Sequence, residues 1–107
     1  MLPALSRMLE QRERLFLCTV VLYEWLRGPR VAEELEAQEA LFPSEAAFPF
    51  DAEDAALSAS LYRSLKKPRD RAADIAIAAC AIRRDAELWT VNRADFADIP
   101  RLRLLKR

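Results

Sequence analysis

Histidine is absent from the 107 residues, and glycine occurs once, at Gly28. Without histidine the chain has no imidazole base or metal ligand, and no Ser-His or Cys-His catalytic pairing can be built. A single glycine cannot make a Gly-rich phosphate loop, which excludes the nucleotide-binding α/β families. The two cysteines, Cys18 and Cys80, each in apolar sequence, cannot assemble a zinc site and read as reduced core thiols. Neither sign of charge is in excess, since Lys+Arg and Asp+Glu are 17 each. Attraction to nucleic acid or membrane must therefore come from a local patch. The apolar run over 15–26 is broken by Glu24 and falls short of a membrane span. The opening MLPALSRMLEQRER lacks the apolar core and cleavage site of a secretory signal, so a cytoplasmic location is expected.

What is present is the composition of one soluble globular domain over residues 1–107, 52% apolar and 32% charged. Leu5, Met8 and Leu9 have helical spacing, predicting a short amphipathic helix over 4–13. RLFLC, 14–18, is short and apolar and reads as a buried strand. Thr19 is placed to cap a helix VVLYEWLR that Gly28 and Pro29 end, as a C′ glycine and a following proline. A second helix over 31–41 is acidic outside and offers a thin apolar face of Val31, Leu35 and Leu41. AFPF reads at most as an edge strand because of Pro49. Asp51 and Asp54 then have capping-box spacing for a helix to about Lys66, with Asp in place of the usual Glu. After Pro68, Asp70 is expected to cap a helix running to about Asp85. A strand over 87–91, a polar turn over 92–98 with room for one helical turn, and an alternating strand RLRLL close the chain. Strands separated by helices predict an α/β fold with a small, mainly parallel sheet flanked by helices.

Three acids stand out. Glu24 lies inside VVLYEWL, Asp74 inside AADIAIAACA, and Asp95 follows the strand LWTV in NRADF. Each has a local reading: Glu24 pairing with Arg27 at i,i+3, Asp74 favoured by the helix dipole, Asp95 capping a short turn. Yet a carboxylate in a helix apolar on all sides needs a cation or a cleft, because burying it unpaired costs several kcal/mol. Brought together at strand ends, Glu24, Asp74 and Asp95 would repel one another unless a divalent ion neutralised them. An all-oxygen site suits Mg²⁺ or Mn²⁺, which recruit phosphate oxygens, so the chemistry expected is phosphodiester hydrolysis. Two basic clusters, Lys66, Lys67, Arg69 and Arg71, and Arg101, Arg103, Lys106 and Arg107, read first as solvated surface charge and otherwise as local patches for nucleic acid or membrane.

The motifs TVVLYEWLRGP (19–29), PFD (49–51), ADIAIAACA (73–81), TVNRADF (90–96) and IPRLRLL (99–105), in this order, resemble the PIN-domain toxins of the VapC type. The resemblance implies a PIN-like three-layer fold and a Mg²⁺- or Mn²⁺-dependent endoribonuclease. Such a toxin is held by a cognate antitoxin and is usually a homodimer. It makes Glu24 the helix glutamate, Asp74 the central aspartate, Asn92 and Asp95 the pair of the last motif, and Thr90 the small polar residue beside it. Asn92 stands where many relatives have aspartate, which shifts its role toward orienting a ligand or water and leaves the charge to Asp95. The family's opening strand, ending in Asp-Thr or Asp-Ser, has no counterpart before Arg14. The first central strand and its metal-binding aspartate are therefore expected to be missing, as in a chain truncated at its N-terminus. The alternative function for such a chain is a catalytically inactive PIN fold that only binds an antitoxin or a second copy of itself. A third reading is a plain α/β structural domain whose acids coincide by chance.

Overall fold

The computed structural model describes residues 17–105. The helix expected over 4–13, residues 14–16 of the first strand, and Lys106 and Arg107 of the second basic cluster lie outside them. Cys18 is extended and stands at the N-cap of α1, Thr19–Leu26. Thr19 is thus the first helical residue, not the expected cap, and its hydroxyl has other work. Thr19 Oγ1 accepts the N–H of Phe50 at 3.0 Å, while its backbone N–H donates to Phe48 O at 2.8 Å. With the N–H of Phe48 donating to Leu17 O at 2.8 Å, these bonds form an isolated parallel bridge between Cys18 and Phe48. Leu17 and Cys18, the described end of RLFLC, therefore do meet AFPF as an extended segment. The missing N–H of Pro49 stops the ladder there. At the other end of α1, Gly28 does not take a positive φ, so the helix stops without the left-handed glycine expected of it.

Helix α2, Ala32–Leu41, contains no buried residue, in keeping with its thin apolar face. Glu34 Oε1 accepts the N–H of Val31 at 3.0 Å and ties down its first turn. Helix α3, Ala52–Ser64, begins with the predicted box. Asp51 Oδ1 accepts the N–H of Asp54 at 2.9 Å, and Asp54 Oδ2 accepts that of Asp51 at 3.0 Å.

A 3₁₀ turn, Pro68–Arg71, leads into α4, Ala72–Arg83, whose N-cap position is held by Arg71. Asp70 lies inside that turn and is not the cap predicted for it. Helix α4 ends in a Schellman motif, with the N–H of Ala86 on Ala81 O at 2.9 Å and that of Asp85 on Ile82 O at 3.0 Å. Asp85 supplies the left-handed residue at φ 52°, and Lys67 and Arg101 do the same elsewhere at 49° and 71°. With so little glycine in the chain, side-chain-bearing residues take these positions, at about 1 kcal/mol each or somewhat more.

The strands β1, Glu87–Leu88, and β2, Arg103–Leu104, pair in parallel with Glu87 opposite Arg103 and Leu88 opposite Leu104. Both are shorter than the segments 87–91 and 101–105 expected. Helix α4 is the centre of the molecule. Its Ile75, Ala78 and Ala79 join Leu61 of α3 with Phe96 and Ile99 in one buried cluster, and its Ile77 and Cys80 join Cys18 in another. Leu88 packs against both. Ile75, Ile77, Ala78, Ala79 and Cys80 are buried together along its middle, each large side chain contributing about 1.5–3 kcal/mol. The result is mostly helical with a small parallel sheet, the α/β organisation read from the sequence. Among the described residues no helix is long and apolar enough to cross a membrane.

Candidate functional site

Helices α1 and α4 pack against each other. Cys18, just before α1, touches Cys80 late in α4, whereas Glu24, late in α1, acts on Asp74 in the first turn of α4. The two helices thus run antiparallel, thiols at one end and carboxylates at the other. Asp74 is half-buried. Burial first, and then the charges of Glu24 and Asp95, push its carboxyl above the usual range, while Arg71 pulls it partly back. The three acids picked out in the sequence therefore share one electrostatic field.

The 90–96 segment brings the third acid. Arg93–Asp95 is a single 3₁₀ turn, the short helical turn expected, with Asp95 exposed as its last residue. Asn92 stands at the N-cap position of this turn, and its N–H donates to Thr90 Oγ1 at 3.0 Å. Thr90 shapes the approach to the turn, and the Asn92 side chain is left exposed at its mouth. The local readings of Glu24 and Asp74 hold beside the shared field, whereas Asp95 lies inside its turn and does not cap it. Glu24 Oε2 accepts from Arg27 Nη2 at 3.1 Å, and Asp74 does sit where the helix dipole favours it.

Arg71 has a role that the sequence did not disclose. Of its cluster, Lys66, Lys67 and Arg69 are exposed, but Arg71 is half-buried and engaged. Its Nη1 and Nη2 reach Asp98 Oδ2 and Oδ1 at 3.0 and 2.5 Å, and Nη2 also reaches Asp95 O at 3.0 Å. This fork pins the turn bearing Asp95 to the start of the helix bearing Asp74. Arg103 of the second cluster is likewise paired, with Asp85 at 2.8 Å. The spacing of Arg71 to Asp74 is visible in the sequence, but nothing local signals a partner at Asp98.

A second network lies at the far end of α4. Asp54 is fully buried, at 0% exposure. Its Oδ1 accepts from Arg83 Nη1 at 2.9 Å and Arg84 Nη1 at 3.0 Å. Burial drives its carboxyl up, but the hydrogen bonds from Arg84, the Asp51 N–H and Arg83 outweigh that and hold it at about 2. Placed away from the acid group, this network belongs to the packing of α3 on α4.

Carboxylate oxygens are the donors a hard divalent ion takes, and the charge around Asp74 is in surplus. Among the described residues, however, no three His, Cys, Asp or Glu side chains stand close enough to hold a metal ion together. The donor chemistry thus fits such an ion, whereas a closed cage of protein ligands is not formed.

A search of curated proteins and of solved structures returned no match. A family model, described as the PIN domain, matches residues 3–102. PIN domains are in general nucleases that act on RNA and typically use divalent metal ions. With an α/β fold centred on α4 and acids at its N-terminal end, and with nearly its whole length matched, the chain belongs to the PIN domain family.

Proposed function

We propose that the chain is a Mg²⁺- or Mn²⁺-dependent endoribonuclease of the VapC toxin type, with Glu24, Asp74 and Asp95 as metal ligands. The observation that carries this reading is the raised Asp74 carboxyl, crowded by Glu24 and Asp95 and opposed by Arg71. Acids are assembled against their own repulsion where a cation is to be held. The bound ion would neutralise them and activate water toward a phosphodiester. The protein's own groups do the rest. Arg71 keeps the Asp95 turn against α4, Asn92 orients a ligand or water, and the exposed Lys66, Lys67 and Arg69 attract the RNA backbone. A cognate antitoxin and a second copy of the chain are the expected partners. The face of α1 supports this, with Tyr23 62% and Leu26 48% exposed beside an open apolar groove.

The test is cleavage of RNA by the purified chain with Mn²⁺ or Mg²⁺. Cleavage abolished by EDTA and by Asp74→Asn is the expected result. Cleavage that survives either treatment overturns the reading. A second reading, a PIN fold that only binds a partner, is favoured by the absence of a closed ligand cage among the described residues. Its signature is a folded chain, inactive with both metals, that still binds its partner or itself.

A further inference from the structure

The two cysteines come from different elements and meet in one buried cluster with Ile77. Cys18 is the extended residue before α1, bridged to Phe48, and Cys80 lies in α4. Arg84 closes the circle. Its guanidinium sits 4.9 Å from the centre of the Phe48 ring and donates to Cys80 O at 3.0 Å. The backbone on both sides of the pair is therefore held by partners other than the sulfurs. Both thiols are free and only 8% and 2% exposed, and the two side chains lie in the same small cluster.

Their surroundings divide the labour. The Cys80 hydrogen bond lowers the Cys18 thiol, burial raises it, and the N–H groups of Val20 and Val21 with Arg84 lower it again, to about 6. Those N–H groups belong to the open first turn of α1, which makes no close capping bond to the sulfur. Cys80 is pushed far up by the neighbouring Cys18 sulfur and by burial. Cys18 stands at the start of a helix, where the N–H groups of the first turn favour a thiolate, and so is the first of the two sulfurs to react.

The geometry points to Cys18 and Cys80 as a redox pair that closes to an intramolecular disulfide with hydrogen peroxide as oxidant. The Cys18 thiolate attacks one peroxide oxygen, the O–O bond breaks, and hydroxide leaves with the proton Cys18 gave up, as water. Cys80 then attacks the sulfenic sulfur of Cys18, the S–O bond breaks, and the Cys80 proton departs with the hydroxide as a second water. Two thiols are oxidised by two electrons and the peroxide is reduced to two waters. Cys18 keeps 8% of its surface open, which suits an oxidant as small as peroxide better than a bulky disulfide such as oxidised glutathione. The bond would staple the start of α1 to α4, the helices that carry Glu24 and Asp74. Closure does not depend on the nuclease reading.

The test treats the folded full chain with a few equivalents of hydrogen peroxide, unfolds it in N-ethylmaleimide and weighs it. The expected product is about 2 Da lighter, carries no maleimide, and yields a peptide joining Cys18 to Cys80. Closure is expected to be at least roughly tenfold faster in the folded chain than in concentrated urea, because folding pre-places the sulfurs. Two maleimides on the treated chain, a sulfinic acid in place of the link, or equal rates in urea overturn the proposal. Cys80→Ala is expected to leave a sulfenic acid on Cys18 that dimedone labels. Absence of that label in a variant shown by circular dichroism to be folded overturns it too, and the wild-type mass needs no variant at all.

Discussion

Asp74 of α4 lies under the charge of Glu24 on the neighbouring α1, a carboxylate set against a carboxylate across a helix contact. Each is six residues from a cysteine on its own side, about 9 Å along a helix, and those cysteines touch. The acids are thus placed by the same antiparallel packing that brings the sulfurs together. Such an arrangement costs stability when the site is unneutralised, and that cost is measurable.

The raised Asp74 carboxyl means that the folded chain binds its proton more tightly than the unfolded chain does. Stability is therefore lowered above the folded pKa and recovered as pH falls through it. Asp74→Asn removes the repulsion and is expected to stabilise the metal-free chain at pH 7 by about 0.5–2 kcal/mol, with the gain shrinking in acid. Adding Mn²⁺ should raise the melting temperature of the wild type and leave that of Asp74→Asn unchanged. Thermal denaturation with and without Mn²⁺ checks both.

At the other end of α4 the sign reverses. Asp54 is held at about 2, below its ordinary 3.8. Its contribution is present above the unfolded value and is lost as pH falls from there through the folded one. Asp54→Ala should cost about 3–5 kcal/mol at neutral pH, since it leaves Arg83 and Arg84 facing a buried space without their acid. Urea titrations from pH 7 down to pH 2 should show the wild-type advantage disappear in acid.

The fork from Arg71 to Asp98 is partly open to water on the Asp98 side, with side-chain exposures of 18% and 54%. Asp98→Ala should therefore cost only about 1 kcal/mol of stability. A double-mutant cycle with Arg71→Ala should return a coupling of about 0.5–1 kcal/mol. If Arg71 positions the Asp95 turn, Asp98→Ala should lower RNA cleavage by more than its stability loss explains.

Thr19 is neither a cap nor a surface residue, and its hydroxyl accepts the N–H of Phe50 at 3.0 Å. Thr19→Val leaves that N–H without its partner and should cost about 1–2 kcal/mol, whereas Thr19→Ser should stay within about 0.5 kcal/mol of the wild type. Chemical denaturation separates the two.

The capping box of Asp51 and Asp54 was legible because it depends on two residue types three positions apart. The same reasoning misplaced the caps at Thr19 and Asp70. At Thr19 the hydroxyl is drawn to a segment 31 positions away, and at Asp70 a 3₁₀ turn intervenes before the helix. Gly28 shows the complementary case, since its freedom to take a left-handed φ is not used. The single helical turn within 92–98 is legible in its polar residues, but its tether to Arg71 is not.

Residue types and short spacings were enough to give the order of helices and strands, their breaks at prolines, the absence of imidazole and phosphate-loop chemistry, and the three acids worth watching. Hydrogen bonds within a turn reach three or four residues, so sequence carries them directly. Packing alone decided that Glu24 and Asp95 act on Asp74, that Arg71 clasps Asp98, that Asp54 is buried beneath two arginines and that the two cysteines touch. These contacts arise from which faces α4 shows to α1, α3 and the 92–98 turn when its apolar sides are covered. No spacing along the chain encodes that choice.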